Sequence, residues 1–133
     1  MLTDEDAEAA FTEQAEALAA GGVDVIWIET MSSLEEVHAA AKASKKTGLP
    51  VMATMTFDTA GRSMMGVKPA DYKMFAAEID LQGFGANCGI GPAELIDSFS
   101  YFDAADQEPV SYTHLRAHET RSNLVCRLLL EKK

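Results

Sequence analysis

The chain has 133 residues, 47% of them hydrophobic, and a formal net charge of −10. This length suits one ordinary domain or part of one, and the acidic balance argues against a nucleic-acid partner, because such proteins cluster Lys and Arg. No apolar stretch approaches the ~20 residues that span a bilayer, and the acidic residues 1–6 lack the basic region of a signal peptide, so we expect a cytoplasmic protein without a membrane partner.

The chain begins with a predicted helix. Thr3 and Asp6 approximate a capping box, and the pair Gly21 and Gly22 supplies the stop signal. A continuous β-favouring run then covers residues 23–28, and Glu29 follows it directly. The run is too short for a helix and too apolar for a half-exposed strand, which indicates a parallel strand that is covered on both faces.

The same pattern occurs twice more. Ser33 predicts the start of a second helix, which is followed by a strand at residues 51–56. Pro69 predicts the start of a third helix, and a strand then runs from Gly83 to the cysteine at position 88. Three strands, each followed by a helix at a period of roughly 30 residues, predict an α/β fold with a parallel sheet.

Polar residues stand at the predicted carboxyl ends of all three strands. These residues are Glu29, Thr56 and Cys88. Ligands and catalytic groups gather at that edge of parallel α/β proteins. A carboxylate, hydroxyls and a thiol at one edge indicate a site for a small polar molecule.

The thiol of Cys88 has three interpretations. It is a buried apolar residue, a nucleophile or a soft metal ligand. Gly89 and Pro92 end the strand and begin a helix directly after it. A nucleophilic thiol normally needs a basic partner, and the only histidines are His38, in a predicted helix, and two near the end of the chain. The lack of an obvious basic partner favours metal ligation by Cys88 over nucleophilic catalysis.

A long connection, residues 57–68, follows the second strand. Loops at this place usually have about 2 to 6 residues, so its length and its charged residues Asp58 and Arg62 indicate a lid or a substrate loop. A solvated insertion is the alternative.

Several of these segments resemble one protein family. Residues 85–92, with the sequence GANCGIGP, resemble the Gly-x-Asn-Cys motif of the homocysteine S-methyltransferase family, which includes betaine-homocysteine methyltransferase and the amino-terminal module of cobalamin-dependent methionine synthase. Residues 24–30 are similar to the family's strand that ends in a substrate-binding glutamate, and residues 58–63 resemble its loop before Gly66. The resemblance covers residues 1 to about 105.

The resemblance implies a partial (β/α)8 TIM barrel that contains about strands 4 to 6. It also implies site roles. Cys88 is one of three thiolates on a catalytic zinc ion, Asn87 supports it, and Glu29 holds the homocysteine amino group. Thr54 and Thr56, on the strand between them, are candidate substrate contacts.

The implied reaction is methyl transfer to the thiol of homocysteine, which forms methionine. The methyl donor is betaine, S-methylmethionine, methylfolate or a methyl-corrinoid, and the full-length protein can be an oligomer. Two alternatives stay open: another α/β-barrel enzyme that uses Cys88 as a nucleophile, and a non-catalytic binding module.

The chain also departs from the family pattern. The early strands are absent, as is the late Gly-Gly-Cys-Cys motif that supplies the other two zinc ligands. Cys126 has neither the glycine pair nor an adjacent cysteine. A complete barrel needs about 250 residues. We therefore expect residues 1–108 to be a truncated, inactive fragment of the homocysteine-binding barrel.

Residues 109–133 break the strand and helix rhythm. Residues 110–133 hold five of the eleven basic residues but only two of the twenty-one acidic ones. This segment does not read as a seventh barrel strand. It resembles translated sequencing-adapter sequence, and we expect a non-native or disordered tail; a basic amphipathic helix is the alternative.

Overall fold

The computed structural model describes residues 3–102 and, as backbone, residues 109–112. Its four strands are Ile26–Met31 (β1), Val51–Met55 (β2), Gly83–Asn87 (β3) and Pro109–Tyr112 (β4). Its four helices are Asp4–Ala20 (α1), Leu34–Lys45 (α2), Pro69–Glu78 (α3) and Pro92–Phe99 (α4). All neighbouring strands are parallel, in the order β1-β2-β3-β4. The predicted α/β class with a parallel sheet is thus confirmed.

Local sequence signals explain where the helices begin. The side chains of Thr3 and Asp6 each accept a hydrogen bond from the other residue's backbone N–H, which forms the predicted capping box of α1. The hydroxyl of Ser33 accepts a bond from the Glu36 N–H at the start of α2. Proline occupies the first turn of α3 and of α4, where its missing N–H costs nothing.

The first strand lies three residues later than predicted. The structure starts β1 at Ile26 and ends it at Met31, whereas the prediction covered residues 23–28. Its pairing with β2 begins where the Ile26 N–H donates to the Pro50 carbonyl. The start of β1 therefore depends on where β2 begins, and the composition of residues 23–28 alone does not determine it. Glu29 consequently lies inside the strand and not after it.

The interpretation that no strand follows α4 is wrong for four residues. Pro109–Tyr112 pairs with β3, and Asn87 lies opposite Tyr112. Proline is tolerated as the first residue of a strand, and Val110 and Tyr112 favour extended structure. The proposed boundary between residues 108 and 109 stays a prediction. Residues 113–133, including Cys126, lie outside the described part of the chain.

The centre of the core is a cluster of four buried aromatic rings that packs on β2 and β3. Tyr72, on α3, contacts the rings of Phe57, Phe84 and Phe102 at centroid distances of 6.1 to 6.4 Å. The rings of Phe84 and Phe102 meet edge to face at 5.3 Å. The Tyr72 hydroxyl donates a 2.7 Å hydrogen bond to the Ala53 carbonyl of β2, and burial raises the pKa of this phenol well above its ordinary value. The cluster thus fixes α3 against the middle of the sheet.

A second contact joins α1 to α2 on the outside of the sheet. The Glu8 carboxylate lies 2.6 Å from Lys42 Nζ and 2.7 Å from Lys46 Nζ. Hydrogen bonds from these two ammonium groups lower the pKa of Glu8 from 4.5 to about 2.

In the described part of the chain, no helix is long and apolar enough to cross a membrane.

We expect Tyr72→Phe to lower the free energy of unfolding by about 1 kcal/mol, because the ring still packs but the bond to the Ala53 carbonyl is lost. Urea denaturation measures this loss. The matched control is Tyr101→Phe, whose ring is exposed and whose change should stay within about 0.5 kcal/mol. Equal losses in the two variants would contradict the role given to the Tyr72 hydroxyl.

We expect Glu8→Gln to destabilise the fold at pH 7 and to remove part of its acid sensitivity. The folded-state pKa of Glu8 is lowered to about 2, so its contribution is present above pH 4.5 and is lost as pH falls toward 2. Thermal melts of parent and variant should therefore differ at pH 7 and converge near pH 2. Glu13→Gln, an exposed change on the same helix, is the control, and a pH-independent gap for Glu8→Gln would rule out this ion pair as the cause.

Candidate functional site

The carboxyl ends of β1, β2 and β3 lie at one edge of the sheet, because the three strands are parallel neighbours. The register pairs Ile28 with Ala53, and Thr54 with Gly85. The described part of the candidate site is built from the last residues of these strands and from the loops that follow them.

A β-bulge shapes the end of β1. Ile28 pairs with Ala53 and Met31 pairs with Met55, so Glu29 and Thr30 together lie opposite Thr54. The extra residue takes Thr30 out of the regular ladder and gives it a φ of 61°. This left-handed conformation is rare for a β-branched residue, and bulges of this kind re-aim side chains near functional sites. The bulge therefore determines the direction of the Thr30 side chain at this strand end.

Thr30 binds the last residue of β3. Its backbone N–H donates to Asn87 Oδ1 at 3.1 Å, and its hydroxyl oxygen accepts from Asn87 Nδ2 at 2.5 Å. The same Asn87 nitrogen lies 3.4 Å from Cys88 Sγ, and the Thr30 hydroxyl lies 3.9 Å from that sulfur. Thr30, Asn87 and Cys88, which we call the Thr30 cluster, thus link β1 to β3 across the end of β2.

The thiol of Cys88 is half-buried and forms no disulfide. Cys88 has a φ of 57° and Gly89 a φ of 86°, so the backbone turns sharply at the end of β3. Glycine carries no steric penalty in this region, whereas a cysteine there is strained. Strained backbone angles of this kind cluster at active sites and ligand clamps.

The predicted substrate contacts lie in different surroundings. Glu29 is exposed and lines a groove of about 300 Å³ between β1, α1 and α2. Thr54 is fully buried, and its hydroxyl lies 3.5 Å from the Ile28 carbonyl, a long distance for a hydrogen bond. Thr56 is buried, and its N–H donates to the Met31 carbonyl. A substrate role for these three residues stays a prediction.

A hydrogen-bonded serine holds the middle of the connection after β2. Ser63 is buried; its hydroxyl donates to the Ser32 carbonyl at 2.5 Å and accepts from the Val67 N–H at 3.2 Å. Around this anchor, Arg62 and Met64 are exposed. Ser63 therefore fixes the loop to the segment after β1, close to Thr30, and the role of the loop as a lid or a substrate loop stays a prediction.

The described residues do not form a complete metal site. Residues 3–102 contain no group of three His, Cys, Asp or Glu side chains that could hold an ion, and Cys88 is their single cysteine. His38 lies on α2 with its ring 6.2 Å from the ring of Phe75, so it is engaged away from the strand ends. This arrangement supplies one soft ligand without an adjacent imidazole base.

Sequence reasoning missed two residues that organise this edge. Thr30 stands next to Glu29 in the segment used for the family resemblance, but nothing in a threonine predicts a positive φ. Ser63 lies in the long loop, where a small polar residue is common and its burial depends on tertiary contacts.

Comparison with known proteins gives consistent matches. The sequence model of the family described as homocysteine S-methyltransferase matches residues 1–125, beyond the limit near residue 105 that the motifs suggested. Methionine synthases from Mycobacterium tuberculosis and Mycobacterium leprae are 29% and 27% identical over 108 residues, which cover 77% of this chain and 9% of theirs. The chain therefore spans a small part of these relatives.

A solved structure matches the fold. The homocysteine methyltransferase MmuM from Escherichia coli, in its apo form, matches with a TM-score of 0.74 at 19% identity. The match covers 85% of this chain and 44% of that enzyme. The strands and helices described above therefore have the arrangement found in part of a longer protein.

We expect Ser63→Ala to loosen the loop after β2, because the hydroxyl holds both the Ser32 carbonyl and the Val67 N–H. Trypsin cleavage after the exposed Arg62 should become about 5-fold faster or more, since proteolysis follows local opening. The control is Thr59→Ala, whose hydroxyl bonds Asp58 within the loop. Unchanged cleavage of Ser63→Ala would show that the loop is anchored elsewhere.

Proposed function

The chain belongs to the homocysteine S-methyltransferase family, and from this premise we propose that it carries the homocysteine-binding part of a zinc-dependent methyltransferase. In this proposal Glu29 binds the amino group of homocysteine, and Cys88 with Asn87 forms the sulfur end of the site. The observation that carries the proposal is the placement of β1 and β3 on either side of β2, with their polar ends at one edge of the sheet.

The spacing of the strands supports this assignment. Neighbouring strands lie about 4.8 Å apart in a regular sheet, and the Thr30–Asn87 hydrogen bonds hold the ends of β1 and β3 within the roughly 10 Å that two such spacings give. In this proposal an extended homocysteine, whose amino group and sulfur lie at opposite ends, runs from Glu29 to Cys88. The exposed carboxylate of Glu29 is available to an ammonium group, and charge-assisted hydrogen bonds of this kind are among the stronger ones.

Zinc does not fit the described residues alone, because they supply a single thiolate and a catalytic zinc needs three protein ligands. We propose that Cys88 is one ligand of the ion in a complete barrel, and that the other two thiolates come from outside this chain. The residues of this chain then act by orientation: Glu29 fixes one end of the substrate, and the Thr30 cluster fixes the sulfur of Cys88.

The barrel, the boundary near residue 108 and the inactivity of this chain belong to the same proposal. The methyl donor would approach the homocysteine sulfur from outside the described residues. These residues therefore do not distinguish between betaine, S-methylmethionine, methylfolate and methyl-corrinoid as the donor. A covalent role for Cys88 gains no support, since His38, the one imidazole in residues 3–102, contacts Phe75.

We expect the 133-residue chain to retain less than one equivalent of zinc after dialysis and to show no methyl transfer, because one thiolate binds the ion weakly. Metal analysis of the parent chain, Cys88→Ser and Cys126→Ser measures this. Stoichiometric zinc that disappears only in Cys88→Ser, in a monomeric chain, would contradict the need for outside ligands.

The function itself is tested in a complete barrel made by joining residues 1–108 to the remaining strands of a family member. Once this chimera methylates homocysteine, Glu29→Gln should weaken homocysteine binding about 10- to 100-fold, because a charge-assisted hydrogen bond is lost. The matched control is Glu35→Gln, an exposed change in the first turn of α2.

Calorimetric titration with homocysteine measures both variants of the chimera. Equal affinities for Glu29→Gln and its control would reject the role of Glu29. Metal analysis of Cys88→Ser in the same chimera separates the two chemistries, since retained zinc with lost activity would favour a covalent thiol.

A further inference from the structure

We propose that Thr30 is a positioning residue, whose backbone N–H and hydroxyl fix the Asn87 amide so that it donates a hydrogen bond to the sulfur of Cys88. The inference rests on the proposed function in one respect, the use of the oriented sulfur as a metal ligand. Its physical content concerns three side chains of this chain and is testable without substrate or metal.

The donors and acceptors of Asn87 settle its orientation. A carboxamide has two orientations that exchange its oxygen with its NH₂ group, and its neighbours decide between them. The Thr30 N–H can only donate, and it lies 3.1 Å from Asn87 Oδ1, so the oxygen faces Thr30. One hydrogen of the NH₂ group then points to Thr30 Oγ1 and the other to Cys88 Sγ. In the reversed orientation, the NH₂ group would face the Thr30 N–H, so that two donors would meet, and the amide oxygen would face the sulfur.

The bulge makes this arrangement possible. In a regular parallel strand, each backbone N–H donates to one neighbouring strand or the other. Because Glu29 and Thr30 share one partner position opposite Thr54, the N–H of Thr30 is released from the ladder with β2. It reaches past the end of β2 to the side chain of Asn87 on β3. The irregularity in β1 therefore supplies the donor that orients the amide.

The choice of threonine at this position also needs a reason. With a φ of 61°, glycine or asparagine would be easier to accommodate than a β-branched residue. Glycine would keep the N–H but would lose the hydroxyl that accepts from Asn87. Since Asn87 is only 1% exposed, water cannot readily replace that acceptor. The strained threonine thus supplies two partners to one buried amide.

The consequence for Cys88 is a fixed direction. An N–H at 3.4 Å from the sulfur restricts the side chain. In a complete site, this would aim the sulfur at the place where a soft ligand is needed.

The first test replaces the NH₂ group of Asn87, which faces both the Thr30 hydroxyl and the sulfur, by an oxygen. In a Cys126→Ser background, Asn87→Asp keeps an acceptor for the Thr30 N–H and can accept from the Thr30 hydroxyl, but turns an oxygen toward Cys88. We expect alkylation of Cys88 by iodoacetamide at pH 7 to slow about 10-fold, because the sulfur then faces an oxygen and no longer the N–H that holds it. A melting temperature close to that of the parent shows that the fold survives. A rate within about twofold of the parent's in the folded variant would overturn the proposal.

The second test separates positioning from stability at Thr30 itself. Thr30→Gly relieves the strain and removes the hydroxyl, which have opposite effects on stability. We expect the variant to stay folded, with slower alkylation of Cys88 and faster exchange of the Asn87 side-chain amide protons in NMR spectra. Thr30→Ser restores the acceptor and should restore both readouts. A purely structural Thr30 would change the melting temperature and leave alkylation and amide exchange as in the parent, which would reject the inference.

Both tests are independent of methyl transfer. If the chimera fails to bind homocysteine while Asn87→Asp and Thr30→Gly slow the alkylation, the proposed function fails and the positioning role stands. If the chimera is active and the alkylation rates do not change, the positioning role fails alone.

Discussion

The hydrogen-bonded pairing of Thr30 with Asn87 is the constraint on which the arrangement of this sheet edge depends. It joins two strands that are not neighbours, and it does so at the point where β2 ends. Such a link requires an extra residue in β1, since a regular strand would direct its N–H and carbonyl groups into the ladder. The left-handed backbone at Thr30 and at Cys88 is the local cost of this geometry, and the surrounding packing sustains it.

The rest of the fold holds these strand ends in place. The aromatic cluster around Tyr72 fixes α3 to β2, so the strand between the two halves of the site cannot shift without disturbing the core. Ser63 connects the long loop to the Ser32 carbonyl, just beyond the bulge. The outer helices are joined by ion pairs at Glu8, which contribute to stability far from the chemistry.

Much of this architecture follows from local signals. Capping at Thr3 and Ser33 and the prolines at positions 69 and 92 predicted the helix starts, because each satisfies or removes exposed donors of the first turn. The bounds of β1 were predicted three residues too early, since a strand begins where its partner allows pairing.

The bulge and the role of Thr30 could not be predicted from residue types. A positive φ at a threonine contradicts its local preference and arises only from long-range bonds. Cys88 and Asn87 were found by motif, but their orientation depends on a partner 57 residues away. The strand at Pro109–Tyr112 was missed because the surrounding composition obscured four residues that pair with β3.

We propose that the ends of β1 and β3 bind the two ends of one homocysteine molecule. The most direct measurement is a crystal structure of the complete chimeric barrel with homocysteine bound. We expect the amino nitrogen within about 3.2 Å of the Glu29 carboxylate and the substrate sulfur on the side of Cys88. An amino group bound elsewhere, with Glu29 facing solvent, would contradict it.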